Sequence, residues 1–517
     1  MNGKEGKTVS TLNVRSGRLY QHLTRYCFEW TPSKDLGPVR AQAQWAQSPL
    51  YTISRSRSAR RLSSSATSSL AAEVLPAPVN LADTSRLFAS VPTSALLRSF
   101  ATLSALAAAP LVDLGTWALR ASTAAPEGHL LRVAIAAAAR ATVHRHFCAG
   151  EGVEEAARTM REMWQDAGLR SILDYGMEDA DDGAACDRNL SGFLLAVEMA
   201  SSLPFASASV CVKITAICPI SLLERISDQL RWEQKDPSFR LPWKGHSFPI
   251  LCHSSPLYLT PREPEPLTEV EEHDLQFALR RLSTICTRCV QANIPLLIDA
   301  EYSSVQPAID YFTYLAMQEF NHSEQPIVYG RIQTYLKEAL AKERMVNVTG
   351  SCSLLGVEAK LVRGAYLTRE TQVASSMGAP SPIHGSVQET HECFDSCASF
   401  MMERVGRKPG AVVLATHNVR SGQVAAMKAE ELRIGKDDQK LQFAQLMGMA
   451  DGLSLGLKNA GFQVSKYLPF GPVEQVIPYL LRRADENRGF LSTSSVDRQL
   501  IRKELLRRVV AAITGRT

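Results

Sequence analysis

The chain is 517 residues long, 45% hydrophobic and 21% charged, an ordinary balance for a folded protein with room for one large domain plus extensions, or for two or three smaller ones. Its net charge of +5 is confined to the start, where residues 1–70 hold eleven Lys/Arg against three acids while the rest holds 46 against 49. A body with a slight acidic excess argues against a nucleic-acid-binding protein.

Residues 1–70 form a basic leader, and its stretch 48–70 is rich in Ser and Arg and lacks any acid. That composition reads as a mitochondrial transit peptide or, more blandly, as a disordered Ser/Arg tail. The longest uncharged apolar stretch, 99–112, is about 14 residues, too short to cross a bilayer. The eleven cysteines come without a secretory signal and are expected as reduced thiols. Cys286 and Cys289 lie in a helical pattern with no second pair, which favours buried thiols over a metal site, and no metal is expected.

Residues 71–170 are expected to be a helical N-terminal region, with helical spacing over 81–106, 129–143 and 151–169. From 171 the pattern changes to short apolar runs rich in β-branched residues, each followed by a segment of helical periodicity. The runs are 172–175, 210–217, 295–301, 327–335, 359–366, 411–417, 441–448 and 462–468. Eight such units predict an α/β fold, a (β/α)8 TIM-like barrel over 171–500 with an N-terminal helical extension. The Pro- and charge-rich 231–268 is expected as a loop insertion, and 501–517 as a C-terminal helical tail.

A barrel places functional groups where strands end. Six of the runs comply, with Lys213, Asp299-Ala300-Glu301, Arg331 and Gln333, Lys360 to Tyr366, Thr416-His417-Asn418, and Lys466-Tyr467. Polar groups within apolar runs are costly unless partnered, and six at equivalent positions point to a pocket. After the eighth run a helix can begin at Pro472. On it Tyr479, Arg482, Arg483 and Glu486 share one face, and Val473, Ile477, Leu480 and Ala484 another. That polar face reads either as solvated ion pairs or as a clamp for a carboxylate, whose planar shape suits paired guanidinium groups.

No HExxH, GxGxxG or Walker A pattern occurs, which argues against metal hydrolysis and leaves any dinucleotide to the barrel loops. Arg363-Gly364 could cradle a phosphate, or be an ordinary strand-to-helix turn. Lys213 could be the nucleophile of a Schiff-base lyase. A non-catalytic barrel that senses amino acids is a third reading.

The motifs L-R-S-I-L-D-Y-G-M-E-D-A (169–180), V-K-I-T-A (212–216), L-I-D-A-E (297–301), G-R-I-Q-T-Y (330–335), K-L-V-R-G-A-Y (360–366), A-T-H-N (415–418) and Y-L-L-R-R-A-D-E-N (479–487) occur in the order found in one family. Across about 156–488 the chain resembles proline dehydrogenase, in its monofunctional plant mitochondrial form. The resemblance implies an FAD-dependent enzyme that oxidises L-proline to Δ1-pyrroline-5-carboxylate by hydride transfer to flavin N5, the first step of proline catabolism. Electrons would pass to a quinone from the matrix side of the inner mitochondrial membrane, with peripheral attachment.

The resemblance further implies roles for individual residues. Arg482 and Arg483 would clamp the proline carboxylate, Lys213 would lie near it, and Tyr467 and Tyr479 would wall the ring. Glu486 would orient the arginines, and Glu178 corresponds to an acid that pairs with the first of them. Asp299, Lys360 and Lys213 would act in catalysis. Flavin contacts would come from Ala300, Gln333, Lys360, Arg363, Gly364, Ala365, Tyr366, Thr416, His417 and Asn418. Lys360 replaces an arginine found in bacterial members, keeping the charge but losing the fork. No general base is singled out.

Overall fold

The computed structural model describes residues 78–124, 129–203, 208–245, 256–322, 326–339, 357–407, 409–489 and 491–515. The expected leader, 1–70, lies outside them, as do residues 246–255 of the expected insertion.

The N-terminal region is helical as its spacing demands, but cut into pieces. After a single turn at Thr84–Leu87 come α1 (Thr93–Leu106), α2 (Ala109–Ala124) and α3 (Leu130–Ala139), and a π-turn over Arg140–His144 leads to α4 (Val153–Ala167). Pro92 explains why 81–106 is not one helix: its missing N–H suits the cap of α1 and no interior position. Gly168, in the left-handed region at φ 61°, ends α4 and turns the chain into the barrel.

Eight parallel strands then close on themselves: β1 (Arg170–Tyr175), β2 (Ala208–Val212), β3 (Leu296–Ile298), β4 (Val328–Gln333), β5 (Val357–Val362), β6 (Gly410–Ala415), β7 (Leu441–Leu446) and β8 (Val464–Phe470). Closure is made by β1 and β8, with Ile172 opposite Tyr467. The intervening helices are α5 (Gly183–Ser202), α6 (Ile220–Lys235), α7 (Glu269–Ala292), α8 (Gln306–Phe320), α9 (Leu367–Ser376), α10 (Val387–Val405), α11 (Val419–Glu431) and α12 (Asp451–Asn459). After β8 follow α13 (Val473–Gly489) and α14 (Leu491–Thr514).

Two expected boundaries move. Helix α6 runs through residue 231, so the insertion begins later than expected. Arg231 looked like loop charge, yet it is fully buried, donating to the Thr260 hydroxyl and the Ser304 carbonyl. Helix α14 likewise runs through residue 500, because no Gly or Pro interrupts it. The second run also leaves the sheet early: β2 stops at Val212, and Ile214–Ala216 form a 3-10 turn that carries the chain over the barrel rim.

The barrel interior is plugged by Ile172, Cys211, Leu297, Tyr329, Ala411, Val413, Ala444 and Tyr467, drawn from seven of the eight strands. Side chains alternate across a strand, so residues two further along face the same way. Two positions beyond Ile172, Cys211, Leu297 and Tyr329 stand Asp174, Lys213, Asp299 and Arg331. The apolar plug is thus the floor on which a charged layer rests.

Candidate active site

The charged layer opens into a cavity at the C-terminal mouth of the barrel, lined by residues from β1 to β8 and by α13. Its centre is Asp299, 2% exposed and just past the end of β3. The Tyr467 hydroxyl donates to one carboxylate oxygen at 2.7 Å, while Arg331 at 3.0 Å and Lys360 at 3.3 Å share the other. Burial alone would push this carboxyl's pKa up, but the charges of Lys360, Arg331 and Lys213 outweigh it and hold the group well below the ordinary range. Lys360 also stands 4.3 Å over the Tyr467 ring, a cation–π contact.

Lys213 donates to both oxygens of Asp174, at 2.8 and 3.0 Å. Burial opposes its charge, but Asp174, then Glu178 and Asp299, raise its pKa. A Schiff-base lysine must instead lose its proton easily, so this environment argues against the lyase reading.

Helix α13 lies over the cavity. Its apolar face packs Val473, Ile477 and Leu480 against Leu119 of α2 and Ala136 of α3, which turns Tyr479, Arg482 and Arg483 toward the mouth. Arg482 makes a two-pronged pair with Glu178, at 2.6 and 2.9 Å, and lies 5.5 Å from the centre of the Tyr366 ring. Arg483 is buried, 4.8 Å from the centre of the Tyr479 ring. The arginine face is therefore inside the molecule, and the solvated reading falls. Arg482 is oriented by Glu178; the Glu486 side chain lies outside the described residues.

On the β5–β6 side, Arg363 uses three donors at once, to His391 Nδ1 at 2.9 Å, Thr416 Oγ1 at 2.6 Å and Ser421 Oγ at 2.8 Å. Its guanidinium also covers the Phe394 ring at 4.3 Å. Burial lowers its pKa to about 10. For the acceptor His391, burial first and then the Arg363 charge lower the pKa to about 4, leaving a neutral ring. Gly364 sits at φ 139°, where a Cβ would run into the Tyr335 ring, so only glycine fits.

His417 accepts the Leu446 backbone N–H at Nε2, 3.1 Å away. Burial, then Lys466 and Arg483, lower its pKa to about 3. The ring is neutral with its proton on Nδ1, because Nε2 is already an acceptor. Asn418 caps α11 through the Ser421 N–H at 3.0 Å, which fixes the loop that presents Thr416 and His417.

Of the residues singled out from sequence, Lys213, Asp299, Lys360, Arg363, Gly364, Ala365, Tyr366, Thr416, His417, Asn418, Tyr467, Tyr479, Arg482 and Arg483 line the one cavity. Ala300 and Gln333 do not; they line an adjoining recess that shares Arg331 with it. Lys466 also falls outside. One position from inward-facing Tyr467, it turns away from the barrel axis to Asp451 at 2.6 Å and the Met449 carbonyl at 2.7 Å. Asp174, His391 and Gln445 line the cavity without having been assigned, and Arg331 was placed on its strand but given no role. Two-residue alternation from Ile172 and Tyr329 would have found Asp174 and Arg331.

The family model for "Proline dehydrogenase" matches residues 156–496. The chain is 50% identical over 436 residues to "Proline dehydrogenase 2, mitochondrial" of Arabidopsis thaliana, covering 84% of this chain and 91% of that one. It is 30% identical to "Hydroxyproline dehydrogenase" of Bos taurus, covering 80% and 90% of the two chains. Among solved structures, proline utilization A from Bdellovibrio bacteriovorus shares the fold with a TM-score of 0.58 at 17% identity. That match covers 82% of this chain and 44% of the bacterial one, so the chain spans under half the length of that solved protein.

Proposed function

Because the chain belongs to the proline dehydrogenase family, in its plant mitochondrial form, we propose that it oxidises L-proline to Δ1-pyrroline-5-carboxylate with FAD as its cofactor. The observation that carries this reading is the cavity's charge. Lys213, Arg331, Lys360, Arg363, Arg482 and Arg483 line it with Asp174 and Asp299, and Glu178 adds a third acid beside Arg482, for a net charge of +3. An amino-acid carboxylate and a dinucleotide pyrophosphate together bring three negative charges, which match that excess.

The residues present fit a flavin dinucleotide. Arg331 Nε and Gln333 Oε1 are buried with no hydrogen-bond partner among the described residues. Gly364, packed against the Tyr335 ring, lines the cavity beside the locked Arg363. Gln333, Lys360, Arg363, Gly364, Ala365, Tyr366, Thr416, His417 and Asn418 would hold the cofactor, with Ala300 and Arg331 beside them. When bound, FAD would supply at N5 the two-electron acceptor for a hydride from proline Cδ, with loss of the nitrogen proton leaving the imine.

The protein's own part is orientation and electrostatics. Arg482 and Arg483 grip the carboxylate, with Glu178 holding Arg482 in place until a ligand arrives. Lys213, anchored by Asp174, adds a third positive charge at that end. Tyr467, hydrogen-bonded to Asp299, and Tyr479 form apolar walls that exclude water. Lys360 and Arg331 favour negative charge on the reduced cofactor. Electrons then pass to a quinone on the matrix side of the inner mitochondrial membrane, two electrons and two protons per proline. The test is anaerobic: purified protein should carry a flavin absorbance that bleaches on adding L-proline. Protein without flavin, or flavin unmoved by proline, would overturn the reading.

A further inference from the structure

Arg482 and Arg483 are carried by α13, so the direction of that helix decides where they stand. The helix is not stiff on its own account. Pro478 lies inside it, between its start and the arginines, where the ring removes one backbone hydrogen bond and crowds the turn before it. Val473, Ile477 and Leu480 pack on the N-terminal helices, but apolar contact is non-directional and tolerates a small tilt. A fixed direction needs hydrogen bonds, which weaken steeply as their angle departs from linear.

Those bonds come from a short stretch that precedes the barrel. The chain leaves β8 at Phe470 and enters α13 at Val473 through Gly471 and Pro472. Gly471 stands at φ 147°, in the region that favours glycine. Beside this elbow the Ala149 N–H donates to the Pro469 carbonyl at 2.7 Å, and the Gly471 N–H to the Gly150 carbonyl at 3.0 Å. The His144 Nε2–H reaches the Gly471 carbonyl at 3.3 Å. Glu151 then takes the first N–H of the helix itself, that of Val473, at 3.1 Å. Its carboxylate thereby sits at the positive end of the α13 dipole.

Glu151 is held in turn. Arg140 grips both of its oxygens, at 2.6 and 2.9 Å. Arg140 opens and His144 closes the π-turn that follows α3, so that turn sets the spacing of the two side chains directed at the elbow. Such turns are rare and frequently mark functional sites. All of these residues lie before the span that the family model matches, which begins at 156.

We propose that Glu151, braced by Arg140, is a positioning residue for the substrate: it fixes the elbow that aims α13 and so sets the grip of Arg482 and Arg483 on a carboxylate that Glu151 never touches. The lever is long. From Val473 to Arg482 the helix rises about 14 Å, and a tilt of about 5° at the elbow shifts the arginine by about 1 Å. A misplacement of that size can cost up to about 100-fold. The proposal rests on the reading of the two arginines as the carboxylate clamp.

The test is steady-state kinetics with a soluble dye as acceptor, with flavin content measured alongside. Glu151→Ala should raise the KM for proline about tenfold and leave kcat and flavin content within about twofold of wild type, because saturating proline draws the arginines back into place. Glu151→Gln, whose side-chain oxygen still accepts the Val473 N–H, should recover most of the loss. In a background of Arg482→Met with Arg483→Met, Glu151→Ala should change kcat/KM by less than about twofold, because the groups it positions are gone. A wild-type KM in Glu151→Ala would overturn the positioning role. So would a Glu151→Gln variant as poor as Glu151→Ala, the same relative loss of kcat/KM in both backgrounds, or a loss that appears in kcat or flavin content instead. If the arginine variants themselves keep the wild-type KM, the clamp falls and the positioning role with it; if they lose affinity and Glu151→Ala does not, the positioning role alone falls.

Discussion

Replacing Asp299 by asparagine keeps the shape of the side chain and removes its charge. In the wild type the carboxylate joins buried Lys360 at 3.3 Å, partly buried Arg331 at 3.0 Å and the buried Tyr467 hydroxyl at 2.7 Å. The amide can still accept from Tyr467, but Lys360 and Arg331 then face each other without an anion between them. Removing one partner of a buried ion pair typically costs about 3–5 kcal/mol, and here the one change unpairs two cations, so about 4 kcal/mol of stability should be lost at pH 7. The sign of the pH dependence follows from the pKa. The folded-state value is held below the unfolded one, so the wild-type advantage is complete above the unfolded pKa near 3.9 and disappears only as pH falls through the folded value. Urea unfolding of both proteins at pH 8, 7, 6 and 5, followed by circular dichroism, should give a difference that stays constant across the series. A difference under about 1 kcal/mol at pH 7 would refute the idea that Asp299 neutralises both cations. A difference that already decays between pH 8 and pH 6 would show instead that Asp299 titrates near neutrality.

Arg482→Met and Arg483→Met should each raise the KM for proline by about 10- to 100-fold with flavin content retained, as expected for losing charge-assisted bonds to a carboxylate; a wild-type KM in both would sink the clamp. Gly364→Ala should give soluble protein with most of its flavin lost, measured by the ratio of flavin to protein absorbance, because the new methyl meets the Tyr335 ring at a strained φ of 139°. Full flavin occupancy would contradict that. Glu358, on β5 and 7% exposed, has its pKa raised by burial to about 7 and one carboxylate oxygen without a hydrogen-bond partner among the described residues. A raised folded pKa means that stability falls as pH climbs from about 4.5 to 7, so Glu358→Met should stabilise by up to about 3 kcal/mol at pH 8 and by far less at pH 5. Equal effects at the two pH values would show that the group does not titrate in this window.

The barrel was legible because eight short apolar runs at crossover spacing leave few other topologies, and the closing pair, β1 with β8, follows once the sheet must close. Pocket residues were legible where a charge broke an apolar run, as at Lys213 and Lys360. The failures have one geometric source. A motif reports neighbours along the chain, while a strand turns each neighbour to the other face. Lys466 beside Tyr467 was therefore grouped with the pocket although it points outward, and Asp174 was passed over although it stands in register with the charged layer. Ala300, past the end of β3, and Gln333, the last residue of β4, line the adjoining recess instead. The burial of Arg231 and the ties of Arg363 to His391 and Ser421 are invisible in sequence, since each partner lies at least 28 residues away.

The two sides of the cavity are held in different ways. Around Arg363 every contact is made to neutral groups of the protein itself, joining β5, α10 and the start of α11 in an arrangement that no incoming ligand needs to undo. Across the mouth, Arg482 is held by Glu178, a carboxylate that another carboxylate can replace. Under the proposed function, a molecule on the first side would find its seat ready, whereas one entering on the second would displace an internal stand-in. Retention of one reactant and exchange of the other would then fall to opposite walls of one cavity.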